Sequence, residues 1–577
     1  MDRWLLHRVL IKRPSLGSLA CGNLLSNEHK PAPRTRSASF AFGRHGRTRV
    51  PTLPTRHNVR FIAALDLLRA AMFAVGVYAK ASASWLRLGS GACSRRRRRT
   101  IGAWCRRPFH GVESQASSSG LQAPQLLRMQ VVAAPAVQNP APQFEVGSDG
   151  FLYCEEVRVK DIQDALGPEA SPFYLYSQSR IEANVRAYQE ALAGMDAIIG
   201  YAVKANNNLM IMQLVRERGC GAVLVSGNEL RLARLAGFDM RRTVFNGNGK
   251  TPQEIALAVR AECLINVDSE FDLENILAAA KREGRKARVL LRINPDIDPQ
   301  VHPYVSTGLA TSKFGIRTDQ LRWFLDRIRQ NEAQVELVGV HSHLGSTIKK
   351  VELFHDNVVT MLQVIDEISA RGFHSVRFLN IGGGLGIDYE RKGERIPTPQ
   401  ELIDAIRPCL AGRDLTLIIE PGRSLIGNAG ILVCRVIGVK RNGDKRFIVV
   451  DGSMAELIRP ALYGAYQLIT LTEPGVAGEQ MATYDIVGPV CESSDFLGKA
   501  RVLPLPAPGT GLAVMDSGAY CMSMASNYNM KVLPGELMVQ GNRWRIIRQR
   551  QRFADLLSGY RDLVALPDDD LEDSATF

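Results

Sequence analysis

The sequence predicts an α/β fold: an eight-stranded parallel β/α barrel followed by a C-terminal all-β domain. Two observations carry that prediction. Eight apolar runs of strand length recur between residues 197 and 423, each closing on Gly, Asn, Ser or a charged residue, with amphipathic stretches between them. After Gly422 the texture changes to short β runs split by Gly, Pro and Asp. Near-continuous apolar strands alternating with helices imply a parallel sheet covered on its outer face. An open doubly wound sheet has the same periodicity and stands as the alternative, because periodicity does not show closure.

The elements follow in order. A Pro/Ala/Gln linker near 133–144 leads to "GFLYCEEVRVKDI", a strand and turn. The barrel runs are "AIIGYAVKA" (197–205), "GAVLVSG" (221–227), "RTVFNGN" (242–248), "ECLINVDS" (262–269), "RVLLRINP" (288–295), "LVGVHSHLGS" (337–346), "SVRFLNIGGG" (375–384) and "TLIIEPGR" (416–423). "NNLMIMQLVRERG" and "FDLENILAAAKREG" are two of the helices between them; the second opens on Asp272 and Glu274 and stops at Gly284. "GILVCRVIGVKR", "KRFIVVDGS", "ATYDIVGPV", "GTGLAVMDSGAY" and "RWRIIRQRQ" supply the β domain. The expected division is 1–130 as a targeting extension, 131–165 as a linker and a strand joining the β domain, 166–428 as the barrel, 429–565 as the β domain and 566–577 as an acidic tail.

Charge separates the extension from the body. The formal net charge is +14, but residues 1–130 hold 23 Lys/Arg against 4 Asp/Glu, which leaves 49 against 54 in the remainder. An Arg/Ser/Ala-rich, acid-poor N-terminus with the run "SRRRRRT" at 94–100 reads as an organelle transit peptide, plastid first and mitochondrion second. A basic arm for nucleic acid or a nuclear import receptor is the competing reading. "VVAA" at 131–134 suits a processing site. "FIAALDLLRAAMFAVGVYAK" is interrupted by Asp66 and Arg69, short of the roughly 18 clean apolar residues that a spanning helix wants. No membrane or nucleic-acid partner is expected. The 10 cysteines form no CxxC pair, so neither a disulfide framework nor a zinc site is legible, and no metal is expected.

In a β/α barrel the strands' C-terminal ends line the active mouth. Those ends deliver Lys204, then Ser226, Gly227 and Glu229, then Arg292 and Asn294. Strand six delivers His341, His343, Gly345 and Ser346, strand seven Gly382, Gly383 and Gly384, and strand eight Glu420, Gly422 and Arg423. The glycine run frees backbone N–H groups to approach an anion, Ser346 adds a hydroxyl and Arg423 a fixed charge: a phosphate cradle. Alone, "GGG" is as readily a tight turn, Lys204 an ion-pair partner and His343 a hydrogen-bonded core histidine. A phosphate cradle, an amine and a carboxylate together point to pyridoxal 5'-phosphate, which bonds a lysine through its aldehyde and wants an acid facing its ring nitrogen. Lys204 and Glu420 fit those two places, and His343 could stack on the ring.

"YAVKANNN", "HSHLGST", "NIGGGLGIDY", "EPGRSLIGNAG", "RPALY", "GPVCESSDFLGKAR" and "DSGAYCMSMASNYN" resemble the diaminopimelate decarboxylases, in the fold group of ornithine decarboxylase and alanine racemase. The resemblance covers about residues 145–565. It implies a pyridoxal-phosphate-binding TIM-type (β/α)8 barrel, a following β domain, and a homodimer whose sites are shared between chains. It implies decarboxylation of meso-diaminopimelate to L-lysine. By position, Lys204 is the cofactor's lysine and His343 its stacking imidazole. Ser346, Gly382, Gly383, Gly384, Gly422 and Arg423 surround the phosphate, and Glu420 faces the ring nitrogen. Cys491 matches the proton donor given across the dimer, and Glu492 the reader of the distal ammonium. Arg423, Arg459, Tyr463 and Tyr520 match contacts to the substrate carboxylates and the cofactor. "FNGNGK" at 245–250 departs from the "HGNNK" of bacterial relatives and bears on one cofactor-side contact.

Three other activities compete. An ornithine or arginine decarboxylase would leave an arginine unpaired in a partly dry pocket, at a cost on the order of 1–3 kcal/mol. A racemase on the same barrel would use Tyr520 as a base opposite Lys204. A non-catalytic relative could dispense with Lys204 or Cys491, and both are present.

Overall fold

The computed structural model describes residues 144–302, 306–309, 311–391, 395–478, 480–560 and 563. The expected targeting extension (1–130) and acidic tail (566–577) lie outside the described residues. The described chain opens with a small antiparallel sheet of β1 (Phe144–Val146), β2 (Leu152–Cys154) and β3 (Val157–Arg158), and continues through α1 (Val159–Leu166) to β4 (Phe173–Ser177).

Eight strands then close a parallel barrel: β5 (Ala197–Ala202), β6 (Gly221–Leu224), β7 (Val244–Phe245), β8 (Leu264–Val267), β9 (Ala287–Arg292), β10 (Val335–His341), β11 (Phe378–Asn380) and β12 (Thr416–Ile419). Pairing of β12 with β5, Leu417 opposite Ala197, completes the ring and excludes the open sheet. The interior is plugged, not hollow. One apolar side chain from each strand, Ile198, Val223, Val244, Leu264, Leu290, Val338, Phe378 and Ile418, meets its neighbours in a single cluster.

The helices lie outside the ring and begin where the sequence supplies caps. Among them are α2 (Gln178–Ala191), α3 (Leu209–Glu217), α4 (Gly227–Ala236), α5 (Pro252–Arg260) and α6 (Glu270–Glu283). Asn208 accepts from Met210 N and Ile211 N at the head of α3, and Thr251 with Glu254 makes a capping box on α5. Gly284, with φ of 61°, ends α6 in the left-handed conformation. Asp272 lies in the first turn of α6, as expected, and is buried there against Lys250 Nζ at 2.7 Å.

After the barrel come β13 (Gly430–Asn442), β14 (Lys445–Val450), β15 (Ile469–Leu471), β16 (Ala482–Val487), β17 (Phe496–Leu503), β18 (Gly511–Val514), β19 (Gly535–Gln540) and β20 (Arg543–Arg548), which with β4 form an antiparallel-dominated sheet in the order β17-β16-β14-β13-β4-β19-β20, with β18 also pairing β13 and β15. Here β13 pairs with β14, which pairs with β16. β4 sits at its centre, antiparallel to β13 and parallel to β19. The N-terminal strand that joins the β domain therefore runs to Ser177, beyond the expected boundary at 165. Its five residues are all buried, so it reads as barrel-like in isolation and declares itself only through its partners. Among the described residues no helix is long and apolar enough to cross a membrane, and no group of acids, thiols and imidazoles could hold a metal ion.

Candidate active site

A cavity of about 630 Å³ opens at the C-terminal ends of the barrel strands, where the β domain leans over them. Lys204, His343, Ser346, Gly384, Glu420, Gly422, Arg423, Arg459, Tyr463 and Tyr520 all line it. A larger hollow, about 740 Å³, lies at the opposite end of the barrel among Arg241, Arg242, Lys286 and Arg288. None of the strand-end groups reaches it, so chemistry belongs to the smaller one.

Lys204 stands in a short 3-10 turn (Val203–Ala205) after β5. It alone is exposed in the run 201–206. The turn is fixed from both domains. Ala202 N donates to Pro421 O at 3.1 Å, while Ala205 O accepts from Tyr520 N at 2.7 Å and Ser523 Oγ at 3.1 Å. Asn206 Nδ2 donates to Tyr176 Oη at 3.0 Å and Gly518 O at 3.1 Å. Tyr176 Oη donates on to Glu536 Oε1 at 2.7 Å, and Asn208 Nδ2 donates to Glu536 Oε2 at 2.9 Å. The asparagines after the lysine therefore bolt its turn to β4 and β19.

Glu420 follows β12 and is buried. Its carboxylate accepts from Asn380 Nδ2 at 2.8 Å and from Asn246 Nδ2 at 3.0 and 3.2 Å. Asn246 is in turn held by Asn266. Burial works against the Glu420 charge, yet the adjoining His341 imidazole and the Asn246 amide outweigh it, so the carboxyl lies well below the usual carboxylate range. Burial and the Lys204 ammonium push His343 well below the ordinary imidazole value. It is a neutral ring whose Nδ1 accepts from Gly383 N at 3.1 Å, so Nε2 carries its proton.

That bond narrows the anion cradle. Gly383 N is spent on His343 and Gly382 N on Asn380 Oδ1, at 2.9 Å; of the three glycines only Gly384 lines the cavity. Gly383 is required for another reason: a Cβ there would strike the Glu420 carbonyl. Arg423 is buried and donates Nε and Nη2 to Ser346 Oγ at 3.2 and 3.0 Å. Its guanidinium lies 4.7 Å from the Tyr520 ring centre and donates to Tyr389 Oη at 2.5 Å. Arg459, also buried, stacks on the same Tyr389 ring at 4.5 Å, and its Nη1 has no hydrogen-bond partner. A buried guanidinium with an idle donor on a cavity wall is a landing site for a carboxylate.

Cys491 and Glu492 are elsewhere. Neither lines this cavity, and both are exposed on the loop before β17. Cys491 N donates to Asn529 Oδ1 at 3.2 Å. Glu492 accepts from Ser494 Oγ at 2.5 Å and Tyr528 Oη at 2.8 Å, and these two bonds lower its pKa.

Site residues absent from the sequence-based set are the amides Asn246, Asn266 and Asn380, together with Tyr389 and Phe314, whose ring lies 4.5 Å from the Arg292 guanidinium. Only "FNGNGK" carried a signal for Asn246. Its Lys250 is fully bonded inside the protein, to Gly247 O, Asn266 O and Asp272 Oδ2 at 2.6–2.8 Å, and holds that loop in place.

An amine, a buried anionic carboxylate, a neutral imidazole and a buried arginine bonded to a serine around one cavity fit pyridoxal phosphate. Comparison with known proteins agrees. Residues 178–427 match the family model described as "Pyridoxal-dependent decarboxylase, pyridoxal binding domain". A probable chloroplastic diaminopimelate decarboxylase of Oryza sativa is 58% identical over 436 residues, 75% of this chain and 88% of that one. The diaminopimelate decarboxylase of Pseudomonas aeruginosa is 41% identical over 71% of this chain and 97% of its own. A crystal structure of the Helicobacter pylori diaminopimelate decarboxylase, complexed with L-lysine, superposes with a TM-score of 0.65 at 36% identity, covering 68% of this chain and 98% of that one. The chain belongs to the diaminopimelate decarboxylase family of pyridoxal-dependent enzymes.

Proposed function

We propose that this chain decarboxylates meso-2,6-diaminopimelate to L-lysine and carbon dioxide, the last step of lysine biosynthesis, in the plastid stroma. The activity for which the relatives are named supports the reaction, and the chloroplastic relative together with the basic, acid-poor residues 1–130 supports the compartment. The observation that carries the reading is the convergence of Lys204, Glu420, Arg423 and Arg459 on one cavity.

When bound, pyridoxal phosphate supplies an electron sink for the pair released by the departing carboxylate. The chain's own groups do the rest. Lys204 supplies the amine that anchors the cofactor's aldehyde carbon. Glu420 presents a negative charge to the ring nitrogen, and neutral His343 packs against the ring without adding a competing charge. Ser346, Gly384, Gly422 and Arg423 hold the phosphate, with Gly382 and Gly383 shaping the turn behind. Arg459, with Tyr463 and Tyr520, binds a substrate carboxylate. Cys491 delivers a proton to the reacting carbon as general acid, and Glu492 pairs with the distal ammonium. Because those two face outward in one chain, they serve the cavity of a second chain in a homodimer.

The test is direct. Purified protein supplied with pyridoxal phosphate and meso-diaminopimelate yields equimolar lysine and carbon dioxide, and borohydride reduction leaves the cofactor on Lys204. Turnover of ornithine or arginine in preference, or racemisation without carbon dioxide, overturns the reading.

A further inference from the structure

His341 ends β10 and is fully buried. Neither of its ring nitrogens has a hydrogen-bond partner, a state that folded proteins seldom leave in a buried side chain. Its Nε2 stands 3.5 Å from Glu420 Oε1, at the outer edge of bonding distance. The other charged or titratable groups facing it are Arg292, Asp268 and His343. Arg292 and Asp268 are paired with each other at 3.3 Å, and His343 Nδ1 is occupied by Gly383 N, so Glu420 is the acceptor left for the imidazole.

The two carboxylate oxygens are unequally held. Oε1 receives Asn380 at 2.8 Å and Asn246 at 3.0 Å, whereas Oε2 receives only Asn246, at 3.2 Å. Oε2 is therefore the freer atom for a cationic ring nitrogen in the cavity. A carboxylate drawn toward such a nitrogen moves by a few tenths of an ångström, enough to bring Oε1 within reach of His341 or to lose it. A donor on one oxygen lowers the proton affinity of the whole carboxylate, and does so more strongly in a dry site than in water.

Resting on the reading of Glu420 as the cofactor-facing acid, we propose that His341 is a positioning residue for that acid: its Nε2–H donates to Oε1 while Oε2 engages the ring nitrogen, which keeps the shared proton on the ring. His341 keeps its own proton throughout. The single proton in question lies between Glu420 Oε2 and the ring nitrogen, and the imidazole decides on which side. Burial lowers His341 below its ordinary imidazole value, as a neutral donor requires.

The test loads cofactor labelled with 15N in its ring into the wild type, His341→Gln, which keeps an N–H donor, and His341→Leu, which keeps bulk without one. Wild type and Gln are expected to show a protonated ring nitrogen. Leu is expected to move the resonance toward unprotonated pyridine and to lower kcat about tenfold, with KM within about twofold. A Leu variant that keeps the protonated-ring signal overturns the proposal, as does equal loss in Leu and Gln with the signal unmoved. Should Leu not fold, the 15N resonances of His341 in loaded wild type decide: a neutral ring with hydrogen-bonded Nε2–H supports it, and an unbonded or doubly protonated ring overturns it. Failure of the underlying reading looks different, since without Glu420 facing the ring the loaded wild type itself would show an unprotonated ring nitrogen.

Discussion

The turn that carries Lys204 and the loop that carries Cys491 are built in opposite ways. Around Lys204 every neighbour from Tyr201 to Asn206 is buried, and Ala205 and Asn206 are bonded to Tyr520, Ser523, Tyr176 and Gly518 of the β domain and its N-terminal strand. Around Cys491 the backbone is secured underneath, with Val490 N on buried Asp495 at 2.7 Å, but the thiol and Glu492 face outward. The first arrangement holds an amine still over a cavity that the chain completes itself. The second presents reactive groups away from that cavity. Within the proposed dimer, one chain thus provides a finished cofactor site and the other lends the proton donor.

Breaking the first region should cost most. Lys204→Met is expected to lower kcat by about 10⁴-fold or more in steady-state assays, with the fold intact by circular dichroism. Removing the lent group costs less: Cys491→Ala should lower kcat by about 10²–10⁴-fold, while the absorbance of bound cofactor stays that of the wild type. A spectrum changed in Cys491→Ala would mean that the thiol helps to build the site.

The clamp beneath Lys204 is a matter of stability before chemistry. Asn208→Ala removes both a helix cap and a buried bond to Glu536, and urea unfolding should show a loss of about 2–3 kcal/mol. The smallest effect concerns Asp516, in the segment that leads to Tyr520. Burial pushes its carboxyl up to about 6, and Arg391 offsets only part of that. A carboxyl raised in the folded state makes the protein more stable when protonated, so its cost appears as pH rises from about 4 to 6. Asp516→Asn should therefore remove roughly 2 kcal/mol of that decline, read from urea unfolding at the two pH values. An unchanged pH slope would show that Arg391 keeps the carboxylate charged.

Much of the barrel was legible because its signals are local. Each of the eight apolar runs overlaps the strand found there, with β9 and β10 starting one and two residues earlier than their runs, and Gly284 and Asn208 end and begin helices as their chemistry demands. Lys204, Glu420 and Arg423 stood out because charges at strand ends are conspicuous. What stayed hidden depends on distant partners. β4 looks like one more apolar strand until β13 and β19 claim it. Asp272 reads as a helix-start acid and is one, but only the fold sets Lys250 beside it. Asn246, Asn266 and Asn380 carry no charge, and only the folded ring brings them to Glu420. Gly382 and Gly383 read as anion ligands, but their N–H groups had already been claimed by Asn380 and His343.

The division of labour between the two regions is tested most directly by mixing. Lys204→Met and Cys491→Ala chains, each inactive alone, are allowed to exchange subunits. If a site joins one chain's lysine to another chain's thiol, mixed dimers hold one intact site, and activity should recover to roughly a quarter of the wild-type rate. Mixed dimers verified by mass that stay as inactive as either parent would contradict the account.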